Sequence, residues 1–181
     1  MPLIGSSWRR LRLTEQFQFA TVRPVITWRE FRSREPQMAA DGTALLYDVG
    51  VGLGYLATTR PDGGPRVHPM CPLITDDGLY AFIVPSPKQR DLHRDGRFAL
   101  HSIPLETNED AFYVVGRARL VEPADLRHRL GEQFAAERSA LDVPPPGPEQ
   151  DLFEFLIGTA MLTRTTGHAD PAPVHSVWHA A

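Results

Sequence analysis

Ser86, Pro87 and Lys88 stand in a row at the head of a short basic stretch, SPKQRDLHRDG, that closes on Gly96. Ser is a favoured helix N-cap and Pro a favoured first helical residue, so the spacing predicts a helix that begins near Pro87. The first turn of such a helix carries unpaired N–H groups and the positive end of the helix dipole, which together receive an anion. Lys88 and Arg90 add positive charge in that turn, and Arg94 follows one turn later. Asp91 and Asp95 subtract from it. The chemistry these residues support is the capture of a phosphate-like group. The plainer reading is a capped surface helix with solvated charges.

A second stretch, PRVHPMCPLI, alternates in a way that places Arg66, His68, Met70 and Pro72 on one strand face. Val67, Pro69, Cys71 and Leu73 take the other. Pro65, Pro69 and Pro72 cannot donate to a ladder, so this strand is expected at a sheet edge or with bulges. An irregular edge offers free backbone groups to a flat heterocycle, although a strand left at an edge by accident reads the same way.

Other chemistries find less support. His175 and His179 are evenly spaced and His168 is near, but no cysteine or acidic pair completes a zinc set, so no metal site is expected. GVGLGY resembles a dinucleotide loop only superficially. The third glycine of that motif would fall on Tyr55, and the segment leads into a strand where the motif needs a helix. Its glycines are read instead as sites of sharp turning or close packing. The chain contains neither a G-x-S-x-G elbow nor a P-loop. Cys71 is the single cysteine, which excludes an internal disulfide and suits a small buried hydrophobe.

The elements that must position these residues follow from local pattern. The chain has 181 residues with 42% hydrophobic and 23% charged, enough for one globular domain with a core. Residues 1–26 are poorly patterned, with Arg9, Arg10 and Arg12, and read as an arm or mobile tail; residues 27–181 read as the domain. Thr27 with Glu30 fits a capping box, and a second short helix is expected from Gln37 to Tyr47 after Pro36. VGLGYLATTR, GPRVHPMCPLI and GLYAFIV read as a meander joined by turns at RPDGG and TDDGL. RFALHSI and DAFYVVGRARLVEP read as strands, the latter with Phe112 and Val114 on one face and Tyr113 and Val115 on the other. PADLRHRLGEQFAAERSA reads as a helix through Leu126, Leu130 and Phe134, and DLFEFLIG as a short helix or turn. GTAMLTRT and APVHSVWHA read as two last strands.

Six or seven short strands without regular crossover helices argue against a doubly wound sheet and for a small antiparallel barrel with flanking helices, an α+β fold. The formal net charge of −3 argues against an unselective nucleic-acid binder. No apolar run is long enough to span a membrane and MPLIGSSWRRLRL lacks a secretory apolar segment, so a cytoplasmic protein with neither a nucleic-acid nor a membrane partner is expected.

LATTRPDGGPRVHP, GLYAFIV and KQRDLHRDGRFAL, followed by FYVVGRARLVE, resemble in order and spacing the pyridoxamine 5′-phosphate oxidase-like flavin-binding split-barrel family, from about Val51 to Glu122. The resemblance implies a six-stranded antiparallel split β-barrel, usually a homodimer, with FMN at the subunit interface, working as an oxidoreductase on a small organic substrate; an F420-dependent reductase on the same fold, or a non-catalytic protein that binds a flavin, haem or another tetrapyrrole, is the alternative. By similarity, Arg66, Val67 and His68 border the isoalloxazine ring, and Ser86, Lys88 and Gln89 or Arg90 hold the phosphate. His101 and Ser102 approach the same pocket. Trp178 resembles a residue that some relatives bring across the interface. His68 is the first choice of general acid, because histidine is the side-chain type that exchanges a proton near neutral pH. Some relatives use the deazaflavin F420, whose acidic tail would suit Arg9, Arg10 and Arg12, and others bind haem or biliverdin. The C-terminal TTGHADPAPVHSVWHAA is short and poor in arginine and does not match the substrate-phosphate residues of the true oxidases, which argues against vitamin B6 oxidation.

Overall fold

One long strand, β7 (Asp151–Arg164), organises the sheet. It belongs to a computed structural model that describes residues 24–141 and 143–181. On one side β7 pairs with β6 (Ala111–Leu120) over nearly its whole length. On the other it is met in turn by three segments. Its start pairs with β4 (Leu79–Ile83), and its end with β8 (Val174–His179). Between them Ile26 bonds Ile157 in both directions, at 2.9 and 2.7 Å. DLFEFLIG is therefore strand and not the short helix or turn expected. Its consecutive apolar residues are buried on both faces: Phe153 and Phe155 enter the barrel core, and Leu152 packs outside with helix α4 (Ala124–Glu137). A strand covered on both faces loses the period-two alternation that would have betrayed it.

The remaining strands are β1 (Gly54–Thr59), β2 (Pro65–Met70), β3 (Leu73–Ile74) and β5 (Arg97–Ser102). The order β2-β1-β5-β6-β7-β4-β3 is antiparallel throughout. Its two ends are one piece of chain, since β2 runs into β3 through Cys71 and Pro72. Counted as one broken stave, β2 and β3 complete the six-stranded barrel expected, and β8 lies beside β7 as an addition. The fold is an α+β split barrel. The proline-rich run was expected as a single edge strand. It is an edge, but it breaks at Cys71-Pro72 and changes partner from β1 to β4, because proline has no N–H to continue a ladder.

Helix α1 (Trp28–Arg34) starts in the expected capping box. Glu30 N donates to Thr27 Oγ1 at 3.3 Å, and Thr27 N to Glu30 Oε2 at 2.9 Å. Trp28 and Phe31 are buried with Phe112, the Trp28 and Phe112 rings meeting edge-on at 6.3 Å. Helix α2 (Pro36–Leu46) adds Leu45 and Leu46 to that core, and α3 (Pro87–Arg94) adds Leu92. Outside, α4 lays Leu130 and Phe134 on Leu73, Tyr80 and Leu152.

The rest of the barrel's outer face is different. Directly paired residues share a face, so Pro69, Tyr55, His101, Tyr113, Met161 and Val177 form one row across five strand pairs. Tyr55 and Val177 are 41% and 52% exposed, and Val67, in the adjoining row, 58%.

Candidate phosphate and ring site

Helix α3 begins as its sequence requires. Ser86 Oγ accepts from Gln89 N at 3.3 Å, and Pro87 fills the first helical position. Pro87 has no N–H and that of Gln89 is taken, so among the described residues Lys88 N–H is the open donor of the first turn. Lys88 is half-buried and its Nζ donates to Pro69 O at 3.1 Å, which ties the helix start to edge strand β2. Burial lowers the pKa of the Lys88 ammonium, and the nearby Cys71 opposes that. Arg90 is exposed. The Gln89 side chain is engaged below the helix, donating to Asp151 Oδ2 at 2.7 Å, where His93 Nε2 also lies at 2.6 Å.

A turn further along, Asp91 is buried. Its Oδ2 accepts from Arg66 Nε at 2.7 Å and Thr58 Oγ1 at 3.0 Å. Arg94 stands 3.4 Å from its other oxygen. Burial alone would raise the Asp91 pKa. The bonds from Arg66 and Thr58, with the charges of Arg66 and Arg94, outweigh it and hold the carboxyl below its ordinary range. By sequence alone Asp91 reads only as a charge that weakens an anion site. One signal was available: in PKQRDLHR the sole large apolar residue is Leu92, so a helix docked on a barrel must bury a polar residue beside it.

The other candidates divide by face. Val67 is exposed on the outer face; Arg66 and His68 face the inner side of β2, whose partners are Thr58 and Leu56. His68 is exposed there. His101 and Ser102 do not share a pocket as expected, because successive strand residues point to opposite faces. Ser102 is fully buried inside, and its Oγ accepts from Phe112 N at 3.0 Å. His101 lies half-buried on the outer face, 6.2 Å from the Tyr113 ring. Its Nδ1 is 2.6 Å from Ser102 O. A carbonyl only accepts, so Nδ1 is the donor in this contact. Trp178 is partly buried and edges onto Phe31 at 5.1 Å within the same chain. Arg9, Arg10 and Arg12, and the arm as a whole apart from residues 24–26, lie outside the described residues. Among the described residues no cluster of three or more histidine, cysteine or acidic side chains suits a metal ion, and no helix is long and apolar enough to cross a membrane.

The model of the pyridoxamine 5′-phosphate oxidase family matches residues 50–162, well over half of the chain. The chain belongs to the pyridoxamine 5′-phosphate oxidase family. The match takes in Arg66, Val67, His68, Ser86, Lys88, Gln89, Arg90, His101 and Ser102, but not Trp178 or Arg9, Arg10 and Arg12. Solved structures of similar fold include a Clostridium acetobutylicum protein related to general stress protein 26 of B. subtilis, of the pyridoxinephosphate oxidase family. It is 11% identical with a TM-score of 0.53, over 83% of this chain and 95% of that one. General stress protein 26 from Bacillus anthracis is 21% identical with a TM-score of 0.52, over 68% and 91%. A haem-binding protein from Mycobacterium smegmatis is 13% identical with a TM-score of 0.57, over 76% of this chain but 57% of that one. At these identities the likeness is one of fold. No curated protein matches the chain in sequence.

Proposed function

We propose that this member of the pyridoxamine 5′-phosphate oxidase family is a homodimeric, FMN-dependent oxidoreductase acting on a small organic substrate. The observation that carries the reading is the Lys88–Pro69 hydrogen bond. It sets a capped, positively charged helix start beside the edge of an uncovered apolar sheet face. A phosphate ester needs charge-assisted donors and a flat ring needs an apolar slot, and the two lie next to each other here.

In this reading Ser86, Lys88 and Arg90 form the phosphate end, Lys88 through both its N–H and its ammonium. Gln89 orders the helix start from beneath, since its side chain is already spent on Asp151. Val67 borders the ring on the outer face of β2, and Arg66 and His68, whose side chains take the other face, meet it at the strand edge, with His68 as the exposed proton donor. The bound flavin would supply the hydride or electron chemistry, while the protein orients the ring and limits water. A second copy of the chain covers the row of Tyr55, Tyr113, Met161 and Val177, because an apolar face of this extent is an interface more often than a free surface. The half-buried His101 then lies within that interface, and Trp178 reaches it only if β8 shifts away from Phe31.

A second reading, haem binding, is favoured by His101. A histidine on the outer sheet face whose Nδ1–H is held by a carbonyl has the second-shell arrangement of a metal ligand.

The absorption spectrum of the purified protein, with mass spectrometry of what heat releases, tests both. Flavin bands and the mass of FMN support the first reading. A Soret band lost in His101→Ala supports the second. A protein that takes up neither cofactor on titration overturns both.

A further inference from the structure

Strand β2 and helix α3 are joined by two successive ties. Lys88 reaches Pro69 O, and three residues further along the helix Asp91 receives Arg66, three residues earlier on the strand. Residues three apart on a helix lie on one face, so both ties belong to a single seam. The second tie is unusual in its geometry. Asp91 is 4% exposed and takes Arg66 by Nε alone. Among the described residues neither terminal nitrogen of Arg66 has a hydrogen-bond partner, and the side chain is 25% exposed. A guanidinium held at Nε still presents a two-nitrogen fork, the shape that receives a phosphate in bidentate fashion.

We propose that Asp91 is a positioning residue: by gripping Arg66 through Nε, it aims the free fork of Arg66 at the anion received at the start of α3. This assigns Arg66 to the phosphate end of the site as well as to the ring border, and it rests on the flavin reading above. Thr58 supports the arrangement by occupying the same carboxylate oxygen. Arg94 does not substitute for Arg66, because it is drawn away to the carbonyl of Thr59.

Orientation and simple charge make opposite forecasts. If Asp91 were only a neighbouring negative charge, removing it would strengthen anion binding. If it aims Arg66, removing its charge weakens binding of the phosphate and of nothing else. The test is titration of the full-length protein with FMN and with riboflavin, which differ by the phosphate, in wild type, Asp91→Asn and Arg66→Lys. Each variant is expected to bind FMN about tenfold more weakly, with riboflavin affinity unchanged. In an Arg66→Gln background, Asp91→Asn is expected to add no further loss. Arg66→Lys keeps the charge, lacks the fork and leaves Asp91 in place with its bond from Thr58, so it decides the matter if Asp91→Asn unfolds. An unchanged or raised preference for FMN over riboflavin in the variants overturns the proposal, and so do additive losses. Wild type that binds riboflavin and FMN equally overturns it, and with it the phosphate end of the reading above, while sparing a flavin ring site. Wild type that binds neither overturns both.

Discussion

Arg138 is 2% exposed, and its Nη2 donates to the carbonyl of Pro72 at 3.3 Å while its guanidinium lies 4.0 Å from the centroid of the Phe134 ring. The same Nη2 reaches Gly52 O at 3.3 Å, and Nη1 stands 3.3 Å from Glu137 Oε2. One buried cation thus fastens α4 to the corner where the barrel stave changes partner. Among the described residues its Nε has no partner, a cost that the stacking and the two carbonyl bonds offset. Arg138→Ala is expected to lower stability by about 3 kcal/mol, since it empties a buried site and leaves carbonyls unpaired. Urea denaturation with an unchanged m-value measures it.

Tyr47 meets the same corner from the other side. Its hydroxyl donates to Pro72 O at 3.4 Å or Glu137 at 3.3 Å and accepts from Ile74 N at 3.0 Å. Burial is the main reason its pKa is pushed up to about 12, and the charge of Glu137 adds to it. A folded pKa above the unfolded value of 10 means that the folded state holds the proton more tightly. The associated stability is complete below pH 10 and is lost as pH rises from 10 to 12. Tyr47→Phe is expected to flatten that alkaline decline and to cost about 1–2 kcal/mol at neutral pH, because the Ile74 N–H loses its acceptor. Denaturation curves between pH 7 and 11.5 show both effects.

At the acid end the sign reverses. Asp95 is held at about 2, first by the paired hydrogen bonds from Arg97, each at 2.6 Å. Its stabilising share is present above the ordinary carboxylate value and is lost as pH falls from about 4 towards 2. Asp91 and Asp110, also held low, act in the same direction. Asp95→Asn is expected to make stability less steep over this range. A slope identical to wild type in acid-titrated melting would show that the Arg97 pair is not formed in solution.

Gly52 packs so closely on the corner that an added Cβ would lie 2.0 Å from the Pro72 carbonyl oxygen. Gly52→Ala must displace Pro72 and with it the acceptor of Arg138 and Tyr47. A loss of about 2–3 kcal/mol is expected, in the range of overpacked cores. Gly63→Ala, at a turn with φ of 82° and no atom near, is the contrasting control: its cost is backbone strain alone, about 1 kcal/mol.

Tyr55→Glu with Val177→Asp places two charges on the uncovered sheet face. Sedimentation equilibrium is expected to show wild-type dimer and mutant monomer, with the melting of the isolated barrel otherwise similar. A wild-type monomer at micromolar concentration would remove the interface from the functional reading.

Some of this protein was determined locally and was legible in the residues. The Thr27–Glu30 box, the Ser86-Pro87 helix start, the Phe112/Val114 alternation and the turns at Asp62-Gly63 and Asp77-Gly78 depend on neighbours within a few positions, so their types and spacing suffice. The split-barrel class followed from the count and order of such elements, together with the family likeness. What only tertiary structure decided lies where the environment comes from far along the chain. Asp151–Gly158 is strand because β6, β4 and α4 enclose it. Pro72 breaks the run from Pro65 to Ile74 by its own chemistry, but the place where the broken stave is fastened was decided by Arg138 and Tyr47, which hold the Pro72 carbonyl. Asp91 became an anchor because Thr58 and Arg66, 33 and 25 residues away, meet it where water does not reach. Periodicity marks which face of an element is apolar, but it carries no information on which polar side chain a distant strand will cover.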